Sequence, residues 1–200
     1  VYKRQAVFWS YSLYLVLFYP SSAQLWKNKS VVIGLIGLIL FSLTWSTLVA
    51  IHALEEITLG QTPFSGPFLV LAVMILVWAA DTGAYFAGRQ WGKNKLAPLV
   101  SPGKSREGVY GGLVLAIGIA CSFVWWHGGS VADYLSVLII SLVTVIFSVV
   151  GDLMESMFKR QSGVKDSGKI LPGHGGILDR IDSLTAAGPV FLLIYTLVKS

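Results

Sequence analysis

Long uninterrupted apolar runs leave this chain few folds to choose from. Residues 31–54, 68–88, 109–126, 134–151 and 184–198 form five such runs, and residues 6–19 form a weaker sixth. Apart from Asp81 and His52, they hold no ionisable Asp, Glu, Lys, Arg or His. A helix crosses the hydrocarbon core of a bilayer with roughly 20 apolar residues, and there every backbone N–H and C=O must be bonded internally. Charged residues make up only 12% of the 200-residue chain, against about a quarter in soluble domains, and the mean hydropathy is +0.70. The expected fold is therefore all-α: one polytopic membrane domain over residues 1–200, with about six transmembrane helices and a polar site on one face. The 134–151 run is expected to continue as helix through "DLMESMFKR". The last run is expected to begin near Asp182 and to kink at Pro189, which membrane helices tolerate.

The net charge of +5 could suggest a nucleic-acid partner, but the placement of the basic residues argues against one. They follow alternate runs: Lys27 and Lys29; then Arg89, Lys93, Lys95, Lys104 and Arg106; then Lys159, Arg160, Lys165 and Lys169. The intervening "EEITLGQTPFSGP" and "HGGSVAD" contain no Lys or Arg. This alternation follows the positive-inside rule and puts the basic loops in the cytosol. Cys121 is the single cysteine, so no intramolecular disulfide can form and a small buried hydrophobe is expected. The opening "VYKRQ", residues 1–5, reads as translated transposon-end sequence, and the chain is expected to be the C-terminal piece of a longer protein.

The polar residues concentrate in "SMFKRQSGVKDSGKILPGHGGILDRIDS", residues 156–183, which holds eight charged residues and five glycines. On a helix, Asp152, Glu155, Ser156 and Lys159 share one face. A carboxylate at such a depth needs a cationic partner or a water-filled cavity; for Asp152 an ion pair with Lys159 or Arg160 that only fixes the helix end is the alternative to a functional role. Asp179 and Asp182 lie one turn apart beside Arg180, and acids at a helix start can be simple dipole complements. Taken together, carboxylates suited to a hard divalent cation, cations suited to phosphates and a glycine-rich backbone are the parts of a phosphoryl- or nucleotidyl-transfer site. His174 could shuttle a proton or merely hold the loop. Asp81, the one acid within a span, is a functional candidate with a structural hydrogen-bonding role as the alternative. Ser101, Lys104 and Arg106 lie on the same membrane side, although "SPGKS" lacks the spacing of a P-loop.

Ser156, Lys159, Arg160, Lys165, Asp166, Pro172, His174, Gly175, Gly176, Asp179, Arg180 and Asp182 together resemble the signature of the phosphatidate cytidylyltransferases, also called CDP-diacylglycerol synthases, of the bacterial type. "DTGAYFAGR", "GKNKLAP" and "SPGKSREG" extend the resemblance to residues 68–198. It implies transfer of the cytidylyl group of CTP to phosphatidate, giving CDP-diacylglycerol and pyrophosphate, with magnesium and optionally a second cation. It also implies a multi-pass protein of the bacterial cytoplasmic membrane, its site facing the cytosol, that could form a homodimer. On this basis Asp152 and Asp179 are expected to hold the metal, with Asp182 and Asp166 in reserve. Lys159, Arg160, Lys165 and Arg180 are expected to bind phosphates beside His174. Asp81, Ser101, Lys104, Ser156, Gly175 and Gly176 are expected to bind substrate, with Asp81 shaping the cavity where the lipid headgroup enters. An inactive truncated homologue that binds nucleotide or lipid is the main alternative. A transporter is disfavoured because the charges gather at one face and no internal repeat is visible.

Overall fold

Among the described residues six helices carry the chain, and their lengths follow the apolar runs. The structure, a computed structural model, describes residues 2–22, 30–59, 62–168, 170 and 176–199. The helices are α1 (Tyr2–Leu17), α2 (Ser30–His52), α3 (Gly66–Trp91), α4 (Arg106–Trp126), α5 (Val131–Gln161) and α6 (Leu178–Lys199). Two short antiparallel hairpins interrupt them: β1 (Ile57–Leu59) with β2 (Thr62–Phe64), and β3 (Lys95–Ala97) with β4 (Ser101–Ser105). Among the described residues, five helices are long and apolar enough to cross a membrane, while α1, at 16 residues, is shorter. The protein is an all-α polytopic membrane protein with minor strands.

Local chemistry sets the helix boundaries. At the start of α5, Ser130 and Asp133 form a reciprocal capping box, which satisfies backbone N–H groups that the first turn cannot bond. Helix α5 then runs unbroken for 31 residues through Asp152 to Gln161, as the sequence suggests. Helix α6 begins at Leu178, four residues before the expected start, and Pro189 sits inside it without ending it. The stretch Lys95–Ser105, which includes Ser101 and Lys104, forms the β3–β4 hairpin.

Close helix packing depends on small residues. A Cβ on Gly83 of α3 would lie 2.5 Å from the Gly111 carbonyl oxygen of α4, and one on Gly112 would lie 2.6 Å from that of Ala80. Because lipid is as apolar as the helix surfaces, such backbone approach, not hydrophobic exclusion, holds membrane helices together. The interior divides into two apolar clusters. One joins Ile51, Val73, Ala116, Val145 and Leu192; the other joins Trp9, Leu15, Val100, Leu153, Met157 and Val190. Outward residues such as Leu35, Trp45, Trp78 and Val114 stay exposed, as a hydrocarbon solvent allows.

Candidate active site

Helix α5 is the spine of the site. Its 3.6-residue period stacks Asp152, Glu155, Ser156 and Lys159 on one face. There Ser156 Oγ donates to Asp152 Oδ1 at 3.3 Å, and Lys159 Nζ donates to Glu155 Oε2 at 2.8 Å. Lys159 also reaches across to α6 and donates to Asp179 Oδ1 at 2.6 Å. The Asp179 carboxylate additionally accepts the backbone N–H of Ser167 at 3.0 Å and that of Gly176 at 2.7 Å. One carboxylate thus ties together the end of α5, the loop after it and the first turn of α6, where negative charge also suits the helix dipole.

Glycine brings α5 and α6 into this register. A Cβ on Gly151 would lie 2.8 Å from the Asp182 carbonyl oxygen and 2.9 Å from the Ala186 Cβ. Asp182 consequently lies within interaction range of Asp152 and Glu155, while its Oδ1 accepts the Ser183 N–H at 2.7 Å. Glu155 Oε1 is buried and has no hydrogen-bond partner among the described residues.

The β3–β4 hairpin supplies the other half. Lys104 Nζ lies 2.5 Å from Asp152 Oδ2, with both side chains about a quarter exposed. Three contacts aim the hairpin. Ser105 caps α4 by accepting the Gly108 N–H at 3.1 Å, Glu107 accepts from Asn94 Nδ2 at 2.6 Å, and Arg160 Nε donates to the Val100 carbonyl oxygen at 3.3 Å. Between the hairpin, α3, α4 and α5 lies a cavity of about 440 Å³, lined by Asp81, Arg89, Lys104 and Asp152. On the other side of α5 a crevice of about 200 Å³ is lined by Glu155, Lys159 and Asp182.

The structure therefore gathers Asp81, Lys104, Asp152, Ser156, Lys159, Asp179 and Asp182 around the C-terminal half of α5, with Gly176 buried beside Asp179. The cation paired with Asp152 is Lys104, delivered by the hairpin from a different element, and not Lys159 or Arg160, which the alternative of a helix-end ion pair named. Arg160 is engaged by the Val100 carbonyl. Ser101 opens β4 and is partly buried, whereas Lys165, Asp166 and Arg180 are exposed around the connecting loop. His174 and Gly175 lie outside the described residues. Among the described residues no three Asp, Glu, His or Cys side chains converge as a cation site; the expected pair, Asp152 and Asp179, each hold a lysine. Sequence reading gave no role to Glu155 or Arg89, although the three-residue step from Asp152 to Glu155 was a signal for the first.

Chemically, two lysines are held in place by carboxylates at the end of a membrane helix. Such pre-placed cations can take phosphate oxygens without first being ordered.

The sequence has parallels in known proteins. A protein from Haemophilus influenzae named phosphatidate cytidylyltransferase is 49% identical over 199 residues, covering 95% of this chain and 66% of its own length. One of the same name from Pseudomonas aeruginosa is 50% identical over 185 residues, covering 92% of this chain and 65% of its own. One from Staphylococcus saprophyticus is 36% identical over 196 residues. The chain spans about two thirds of the length of the first two relatives. Residues 2–198 match the cytidylyltransferase family, and on that match together with these identities the chain belongs to that family.

Proposed function

We propose that the protein transfers the cytidylyl group of CTP to phosphatidate at the cytoplasmic face of a bacterial inner membrane, releasing pyrophosphate. The observation that carries this reading is the pair of lysine–carboxylate clusters, Lys104–Asp152 and Lys159–Glu155–Asp179, which the hairpin and α6 complete along one face of α5. The names of the relatives and the alternation of basic loops support it.

In the proposed step a phosphate oxygen of the lipid forms a bond to the α-phosphorus of CTP. The bond from that phosphorus to the α,β-bridging oxygen breaks in line, and pyrophosphate leaves with the electron pair. Both reactants are anions, so positioning and charge neutralisation do most of the catalysis. Lys104 and Lys159 supply the nearest ammonium groups, and Lys165 and Arg180, exposed at the loop, meet the incoming triphosphate. Asp81 borders the space from which substrate approaches Lys104, and Ser101 belongs to the proposal as the first residue of the strand that carries Lys104. No protein nucleophile is needed. His174 and Gly175 belong to the proposal as loop residues of the matched signature.

The residues suit magnesium in kind. Asp152 and Asp179 offer hard oxygen donors on two adjoining helices, and the unpartnered Glu155 Oε1 is a further oxygen nearby. Magnesium, when bound, would neutralise the triphosphate and polarise its phosphorus. The test is conversion of labelled CTP into a lipid-soluble product by the purified protein. It should require phosphatidate, stop with a chelator and resume with added magnesium. No lipid-soluble product under these conditions would overturn the reading.

A further inference from the structure

Arg89 lines the 440 Å³ cavity and takes no part in the contacts that aim the hairpin. It stands in the last turn of α3, where a cation also complements the helix dipole. Among the described residues its one hydrogen bond is Nη1 donating to Tyr85 Oη at 3.3 Å, and no carboxylate pairs with it. Lys104 and Lys159, by contrast, are both held by carboxylates.

The charges of the cavity are sorted along α3. Its carboxylates are Asp81 and Asp152, and its cations are Arg89 and Lys104. Lys104 neutralises Asp152, and Asp81 lies within interaction range of that pair. Arg89 follows Asp81 by eight residues on the same helix, a rise of about 12 Å, so the one acid left over cannot serve as its partner. A guanidinium in this state keeps most of its five N–H groups for a ligand, set in a planar fork that matches two oxygens of a phosphate. Tyr85 lines the same cavity. Its hydroxyl accepts from Arg89 and keeps its own proton to donate.

We infer that Arg89, steadied by Tyr85, binds a substrate phosphate through two of its oxygens as that substrate enters the cavity. The inference rests on the proposed transfer reaction, which brings two phosphate-bearing molecules, a lipid and a nucleoside triphosphate, to this end of the helices. A neutral ligand would leave the guanidinium uncompensated, whereas a phosphate supplies both the charge and the paired acceptors. An arginine that only complemented the helix dipole or the charge of its loop would need no fork, and a lysine would serve there equally well.

The experiment measures KM for CTP and KM for phosphatidate separately, in mixed micelles with the purified protein. Arg89 is exposed, so Arg89→Gln should leave the melting temperature unchanged. It should raise KM for one of the two substrates by about 10- to 100-fold, the worth of hydrogen bonds to a charged group, and leave kcat and the other KM as they were. The KM that moves identifies the source of the phosphate. Arg89→Lys keeps the positive charge without the fork and should recover only part of the loss. Tyr85→Phe should raise the same KM by about 2- to 10-fold, as for one neutral hydrogen bond. Full recovery in Arg89→Lys, equal rises in both KM values, or a loss confined to kcat would overturn the inference. Equilibrium binding of CTP, and of phosphatidate in the same micelles, needs no turnover and should show the same selective weakening in Arg89→Gln. Absence of lipid product from the unmodified protein would therefore refute the reaction alone, whereas unchanged binding of both substrates by Arg89→Gln would overturn the role of Arg89.

Discussion

Replacing Lys159 with Met removes one ammonium and keeps an unbranched stem of similar length. In the structure that ammonium lies 2.8 Å from Glu155 Oε2 and 2.6 Å from Asp179 Oδ1. Lys159 is 16% exposed, Glu155 15% and Asp179 11%. Asp179 would keep the N–H groups of Ser167 and Gly176. Glu155 would keep only its neighbour Asp182. Breaking a fully buried ion pair costs about 3–5 kcal/mol. Residual exposure and the surviving bonds to Asp179 reduce this to about 2–3 kcal/mol, which for a chain of this size lowers the melting temperature by about 5–10 °C. Thermal unfolding in detergent micelles measures that shift, and Lys159→Arg, which keeps the charge, should recover about half of it. In the same preparations Lys159→Met should lower kcat by about 100-fold, the usual cost of one pre-placed donor at a developing charge. An unchanged melting temperature, or a kcat within twofold of the unmodified protein, would refute the view that this lysine joins α5, α6 and the chemistry.

Further outcomes follow from other contacts. A double-mutant cycle of Lys104→Met and Asp152→Asn, read by thermal unfolding, should give a coupling of about 1–3 kcal/mol, whereas strictly additive effects would contradict the ion pair between hairpin and helix. Gly151→Val should separate α5 from α6 at the point where a Cβ meets the Asp182 carbonyl oxygen, destabilising the fold by about 1–3 kcal/mol and abolishing turnover; normal activity would show that the close approach is dispensable. Ser105→Ala should remove the α4 cap at a cost of about 1 kcal/mol and, by loosening the hairpin behind Lys104, raise KM for CTP. An unchanged KM would separate the cap from the site.

What the sequence made legible was governed by strong local constraints. The hydrocarbon core demands long apolar helices, so α2 to α6 could be read from their runs. The face shared by Asp152, Glu155, Ser156 and Lys159 followed from helical periodicity alone. The β3–β4 hairpin did not, because its strands are short and the second contains Pro102 and Gly103, which read as loop residues. With the hairpin went the Lys104–Asp152 pair, since no spacing rule joins residues on separate elements. Glu155 escaped for a different reason: four residues from Lys159, it resembles an ordinary surface helix pair. Only the packing of α6, which buries Oε1, gives it a different meaning.

The most direct test of the proposed chemistry follows two labels on CTP. With the purified protein, phosphatidate and magnesium, label on the α-phosphorus should enter the lipid phase in step with release of pyrophosphate, label on the γ-phosphorus should remain wholly aqueous, and Asp179→Asn should abolish the transfer. Passage of the γ-label into lipid, or no lipid labelling from either position, would contradict the account.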